Sequence, residues 1–258
     1  MSRALAGKTI LISGASAGIG AEVARQLAGR QNRLIITARS RDLLDAVADA
    51  VRARGSTCLA LTHDAADAPA TQAVVDQIID EVGPIDVALL NIGSGPAYNL
   101  ATATIAEIDE CMRLNYAVTV NYLVPLIAHM RERGAGLIAH TNSLACFLPV
   151  PMQGPYSAAK SAARTLIDTA RTELRGSGIR FLSIYPGFIA TARTAEDGIP
   201  APFELSEAEA ARHMIKAMES NRDDYCFPWQ TTALTGLLRA LPKRTAGSIM
   251  LRLAADEY

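Results

Sequence analysis

The chain has 258 residues, 50% apolar, 20% charged and 5% aromatic, a globular profile that excludes disordered and fibrous classes. Twenty-five basic against 26 acidic residues leave a formal charge of −1, which offers no positive field for nucleic acid. Cys58, Cys111, Cys146 and Cys226 form no CxxC pair, His63, His129, His140 and His213 show no HxxxH spacing, and no run of about 18 uncharged apolar residues occurs, so metal sites, disulfide frameworks and membrane-spanning helices are not expected. Isolated thiols of this kind suit a reducing, cytoplasmic setting.

The first predicted strand, residues 9–13, runs into Gly14-Ala-Ser-Ala-Gly18-Ile-Gly20 and then into helical spacing over 19–28. Glycines at 14, 18 and 20 allow a tight turn and close approach of a ligand, and the following helix start offers free N–H groups to a pyrophosphate. The spacing is GxxxGxG rather than GxGxxG. Any tight loop can carry glycines, and it is the place of this one, at the first strand–helix turn, that points to phosphate.

Further strands are expected at 33–37, 57–61, 86–90, 137–141 and 180–185, with helices at 43–51 and 74–82 and longer ones at 104–132 and 156–175. The alternation predicts a single α/β domain spanning 1–258, a Rossmann-type doubly wound parallel sheet with helices on both faces. Residues 191–222 interrupt it with Gly198, Pro200 and Pro202 and form the expected substrate loop, within which Ser206 and Glu209 make a capping box. Residues 228–258 form a helical tail with Leu234, Leu237, Leu238 and Leu241 on one face. Packing on this chain or a sister subunit explains that stripe more simply than lipid contact.

A second strand that ends in an acid favours NAD, and one that ends in Arg favours NADP. Here Ala38 stands at the acidic position and Arg39 follows, so NADP(H) is the expected cofactor; a solvated charge opening a helix is the competing reading of Arg39. Tyr156 and Lys160 lie four apart, on one face of a helix, and Ser143 lies 13 residues upstream, after a buried strand.

Taken together, Ser13-Gly14-Ala15-Ser16-Ala17-Gly18-Ile19-Gly20, Asn91-Ile-Gly93, Asn115, Ser143, Tyr156-xxx-Lys160 and Pro186-Gly187-Phe188-Ile189-Ala190-Thr191 resemble the short-chain dehydrogenase/reductase superfamily from Ala6 to Thr191. Departures are Ser13 for Thr, Leu90 and Ile92 within the usual NNAG, and Cys146 where glycine is common. The resemblance implies a catalytic set of Asn115, Ser143, Tyr156 and Lys160. It implies a cofactor held by Gly14, Ser16, Gly18, Ile19, Gly20, Arg39, Asp64, Ala65, Asn91, Gly93, Tyr156, Lys160, Pro186, Gly187, Ile189 and Thr191. Asp64 would accept from the adenine amino group, with a helix N-cap as its competing role. Cys146, Phe147, Leu148 and Met152 are expected to line an apolar substrate pocket.

The implied activity is hydride transfer between NADP(H) and a medium-sized apolar ketone or secondary alcohol, with Tyr156 as proton donor and Asn115 linking Lys160 to solvent through a water. A non-catalytic dinucleotide-binding protein on the same fold is the alternative. A sugar epimerase or dehydratase of the extended relatives would need a larger C-terminal domain. Pairing of the two long helices across a two-fold axis implies a homodimer or homotetramer.

Overall fold

Strand β1 (Thr9–Ser13) is buried at every position, its aliphatic centre Ile10-Leu11-Ile12 flanked by Thr9 and Ser13, as in a strand covered on both faces. The computed structural model describes residues 4–191 and 201–253. In chain order follow α1 (Gly18–Leu27), β2 (Arg33–Ala38), α2 (Arg41–Arg52), β3 (Thr57–Thr62), α3 (Ala68–Val82), β4 (Val87–Leu90) and α4 (Ile105–Met112). A π-helical turn (Arg113–Ala117) leads to α5 (Val118–Arg133), β5 (Gly136–Thr141), a 3-10 turn (Leu144–Phe147), α6 (Gly154–Glu173), β6 (Ile179–Pro186) and the short β7 (Ile189–Ala190). After the residues outside the description come β8 (Leu205–Ser206), α7 (Glu207–Glu219), β9 (Asp224–Phe227), α8 (Trp229–Ala240) and α9 (Lys243–Leu253).

Seven strands form a parallel sheet in the order β3-β2-β1-β4-β5-β6-β9, and β7 pairs with β8 apart from it. Strand side chains alternate between two cores. Ile10, Ile12, Leu34, Ile36, Leu182 and Ile184 pack under α1, α2 and α7. Leu11, Ile35, Ala88, Leu90, Ile138 and Phe181 pack under α3, α5 and α6. The strand order reverses between β1 and β4, which opens a crevice at the strands' C-terminal ends.

Several expectations are corrected. β9 is an additional strand. Its four residues, Asp-Tyr-Cys-Phe, are too few and too mixed to register as an aliphatic run. β3 lies at the sheet edge, half-exposed, rather than buried on both faces. The helix expected over 104–132 is interrupted where the Val118 N–H reaches back to Arg113 O, five residues away. Its start is a capping box: Thr104 Oγ1 accepts from the Glu107 N–H, and the Glu107 carboxylate accepts from the Thr104 N–H. The Ser206–Glu209 box forms as expected.

In the tail, Leu234 and Leu238 turn inward with Thr231 and Thr235, but Leu237 faces outward, 64% exposed. The single leucine stripe is therefore split between two faces. Residues 192–200 of the expected substrate loop and 254–258 of the tail lie outside the described residues. Among the described residues no helix is long and apolar enough to cross a membrane.

Candidate active site

A cavity of about 1630 Å³ occupies the crevice. Ligand pockets commonly enclose about 300–1,000 Å³, so this volume accommodates a dinucleotide beside a second molecule. At its floor the loop between β1 and α1 turns through Gly14 (φ +69°) and Gly18 (φ +61°), left-handed conformations that glycine adopts without strain. Gly20 serves differently: it does not line the cavity, and a Cβ on it would overlap the Gly14 carbonyl oxygen and lie 2.7 Å from Asn91 Nδ2. Helix α1 starts here with Ala17 at its N-cap, no capping side chain and no acid in its first turn. Its N–H groups thus remain available to an anion, which fits a pyrophosphate.

Asn91 holds three strands in register. Its N–H donates to Ser13 Oγ, its Nδ2 donates to Gly14 O at 3.3 Å, and its Oδ1 accepts from Thr141 Oγ1 at 3.0 Å. Beyond β2, Arg39 lines the cavity, exposed, with no hydrogen bond or salt bridge to any described residue. Asp64 lines the same end. Its carboxylate accepts from the Ala66 N–H at 3.0 Å and from Arg113 Nη1 at 3.4 Å, and these hold it below the ordinary carboxylate range. The N-cap of α3 is Asp67, which accepts from the Ala70 N–H, so the competing capping role does not fall to Asp64. Arg25 and His63 also line the cavity, unanticipated from the sequence. His63 Nε2 lies 3.0 Å from the Tyr122 hydroxyl, itself 2.6 Å from Thr37 Oγ1, and burial pushes the imidazole pKa down.

Tyr156 and Lys160 project from the first turns of α6 into the middle of the cavity, where Ser143 also opens at the end of β5. Lys160 is buried; its Nζ donates to Thr141 O at 2.9 Å and lies 5.7 Å from the centroid of the Tyr156 ring. Removal from water lowers its pKa to about 8. Ser143 Oγ accepts from the Ala145 N–H at 3.1 Å, which leaves the hydroxyl hydrogen to another partner.

Asn115 sits in the π-helical turn, fully buried and outside the cavity lining. Its Oδ1 accepts from the Ser94 N–H at 3.0 Å, and its Nδ2 donates to Ser94 O and Cys111 O. It thereby clamps the loop after β4 against Lys160. A Cβ on Gly93 would lie 2.9 Å from Lys160 Nζ and 3.0 Å from Asn115 Oδ1, so a side chain there would push on both. Behind this group His140 is buried, with Nε2 3.3 Å from Thr119 Oγ1; burial and the Lys160 charge keep it neutral.

Of the remaining expected residues, Ser16, Ile19, Ala65, Pro186, Gly187, Ile189 and Thr191 line the cavity. Cys146, Phe147 and Met152 do not. The 3-10 turn after Ser143 swings Cys146 and Phe147 back toward Tyr185 and Cys226, and the Phe147 ring lies 4.9 Å from that of Tyr185. Met152 adopts φ +61° and gives its carbonyl to the Tyr98 N–H. The apolar wall is instead Leu144, Ala145, Leu148, Val150 and Pro151, faced by Leu234 and Leu238 of α8 and Met250 of α9. Only Leu148 of the expected pocket belongs to it.

The family model for short chain dehydrogenases matches residues 8–199. A ketoacyl reductase of Nostoc sp. is 34% identical over 251 residues, covering 95% of this chain and 88% of that one. A fatty acyl-CoA reductase of Mycobacterium tuberculosis is 33% identical over 220 residues, 83% of this chain and 74% of that one. Among solved structures, an alcohol dehydrogenase from the archaeon Thermococcus sibiricus, complexed with 5-hydroxy-NADP, superposes with a TM-score of 0.77 at 26% identity, covering 85% of this chain and 95% of that one.

Proposed function

The chain belongs to the short chain dehydrogenase family of oxidoreductases, and on that premise we propose that it uses NADP(H) to interconvert an apolar ketone and its secondary alcohol. The carrying observation is that Tyr156, Lys160 and Ser143 open into the same cavity as the uncapped start of α1, with Arg39 at its far end. The phosphates would rest on the α1 N–H groups around Gly14, Ser16 and Gly18. The guanidinium of Arg39 would pair with a ribose 2′-phosphate. Bound there, the dinucleotide supplies or accepts a hydride at the substrate carbon.

The residues of the chain manage the proton. Tyr156 Oη gives its hydrogen to the carbonyl oxygen in reduction and takes it back in oxidation. An unperturbed tyrosine exchanges its proton near pH 10, too high for the task, and the Lys160 ammonium beneath the ring favours the phenolate. Ser143 uses its remaining hydroxyl hydrogen to hold the substrate oxygen. Asn115 is a positioning residue, since both ends of its amide are taken up by the Ser94 backbone.

The ketoacyl and fatty acyl-CoA reductases among the relatives support an acyl-chain carbonyl compound as substrate. The leucine- and proline-rich wall suits such a chain. A homodimer or homotetramer through α5 and α6 accompanies this reading, and Val124 on α5 is 61% exposed in the single chain. Light scattering that gave a monomer mass at micromolar concentration would refute the assembly. The catalytic reading is tested by following NADPH oxidation with aliphatic ketones and 3-oxoacyl thioesters. Turnover of at least one with NADPH is expected, and none with any would overturn it.

A further inference from the structure

Helix α8 is turned inside out. Its inward face carries Thr231, Leu234, Thr235 and Leu238, half of them hydroxylic. Its outward face carries Trp229, Ala233, Gly236, Leu237 and Ala240, all exposed and none charged. At 3.6 residues per turn these five positions share about 100° of arc. Trp229 is 75% and Leu237 64% exposed, and Leu251 on the neighbouring α9 is 52% exposed. A contiguous apolar surface of this kind marks a contact site.

Charge decides which contact. Between residues 229 and 253 the outward cations are Lys243, Arg244 and Arg252, since Arg239 is laid over the Phe147 ring at 4.8 Å. No acid stands in this stretch, and Asp256 and Glu257 follow only beyond it. A two-fold pairing of this face with a second copy would bring each set of cations against its own duplicate. An anionic lipid surface accepts both features, tryptophan and leucine entering the headgroup boundary while the basic residues meet phosphates. The inner sides of the same two helices, through Leu234, Leu238 and Met250, form a wall of the cavity.

We propose that the α8–α9 hairpin seats the protein on an anionic membrane surface, with the cavity wall it forms turned toward the source of a lipophilic substrate. The docking stands on the hairpin alone; the substrate's route rests on the reductase reading. The test is co-sedimentation of the full chain with vesicles of phosphatidylcholine alone or mixed with phosphatidylglycerol. Binding to the anionic vesicles at low salt is expected, with release as salt rises. Trp229→Ser/Leu237→Ser/Leu251→Ser should lower that partition at least tenfold while turnover of a short, water-soluble ketone stays at the parent's level. Lys243→Glu/Arg244→Glu, which leaves the apolar face intact, should do the same and guards against misfolding of the first variant. The proposal is overturned if the parent stays in the supernatant with anionic vesicles, or partitions equally onto neutral ones. It is also overturned if the serine variant merely converts a dimer to a monomer without changing vesicle binding. Vesicle binding without turnover of any ketone would leave the docking standing and remove the reductase reading.

Discussion

Replacing Lys160 by Met should inactivate the protein yet change its stability in a manner set by pH. The lysine is buried, and removal from water moves its pKa from the ordinary 10.5 to about 8. At about 1.4 kcal/mol per pKa unit, carrying that charge in the folded state at neutral pH costs about 3 kcal/mol. Methionine has a similar shape and no charge. It also removes the donor to Thr141 O, and a buried carbonyl left without its partner costs about 1–3 kcal/mol. The net expectation at pH 7 is a gain of about 1 kcal/mol, or about 2–4 °C in Tm for the cofactor-free protein.

The sign of the pH dependence is the sharper part. Between pH 8 and 10.5 the unfolded parent holds the Lys160 proton while the folded parent has released it, so parent stability rises with pH through this window. Relative to the Met variant the parent should regain about 3 kcal/mol and end the more stable of the two. Thermal melts of both proteins from pH 7 to 10.5, compared pairwise so that other groups cancel, provide the measurement. A parent–variant difference that stays flat across this range would refute the claim that Lys160 is held charged against its burial.

Tyr156→Phe should reduce kcat by about 10²–10⁴ with NADPH affinity nearly unchanged, because the role proposed for the hydroxyl is to move a proton rather than to bind cofactor; fluorescence titration and steady-state kinetics separate the two, and kcat within about tenfold of the parent would refute the proton-donor role. The parent should prefer NADPH over NADH by roughly 10- to 150-fold, the equivalent of about 1.5–3 kcal/mol for hydrogen bonds to a charged group. Ala38→Asp/Arg39→Leu should reverse that preference, and equal use of both cofactors by the parent would make Arg39 a bystander. Gly20→Ala should destabilise the protein by about 1–3 kcal/mol and weaken cofactor binding, since its Cβ would overlap the Gly14 carbonyl and reshape the β1–α1 loop. The far-ultraviolet spectrum should hold, and unchanged affinity would show that the loop yields more easily than the geometry implies.

Much of this molecule is legible in residues that are close along the chain. Strands β1, β2, β4, β5 and β6 fall on aliphatic runs because parallel strands buried on both faces favour apolar side chains on both, with the polar exceptions Thr9, Ser13, Thr37, His140, Thr141 and Ser183 buried among them. The glycines of the β1–α1 loop are readable for a related reason: a left-handed backbone at Gly14 and Gly18 leaves few other choices. Tyr156 and Lys160 are readable as a pair because four residues return to the same helix face.

The features that depart from expectation share a different cause. Leu148 and Phe147 are neighbours of similar character, yet one lines the cavity and the other packs on Tyr185. The phase of a single 3-10 turn separates them. Asn115 owes its place beside Gly93 to one extra residue accommodated in a π-helical turn, and apolar spacing continues undisturbed on either side of it. In α8 the sequence shows a leucine stripe, but packing against the cavity selects the threonine-bearing side and leaves Trp229 and Leu237 outside. Local chemistry determines which element a segment forms and which side chains share a face, because those depend on backbone geometry and spacing alone. Which face looks inward depends on what the rest of the chain places beside it, and that is decided only when the tertiary structure brings β5, α6 and the tail together around one cavity.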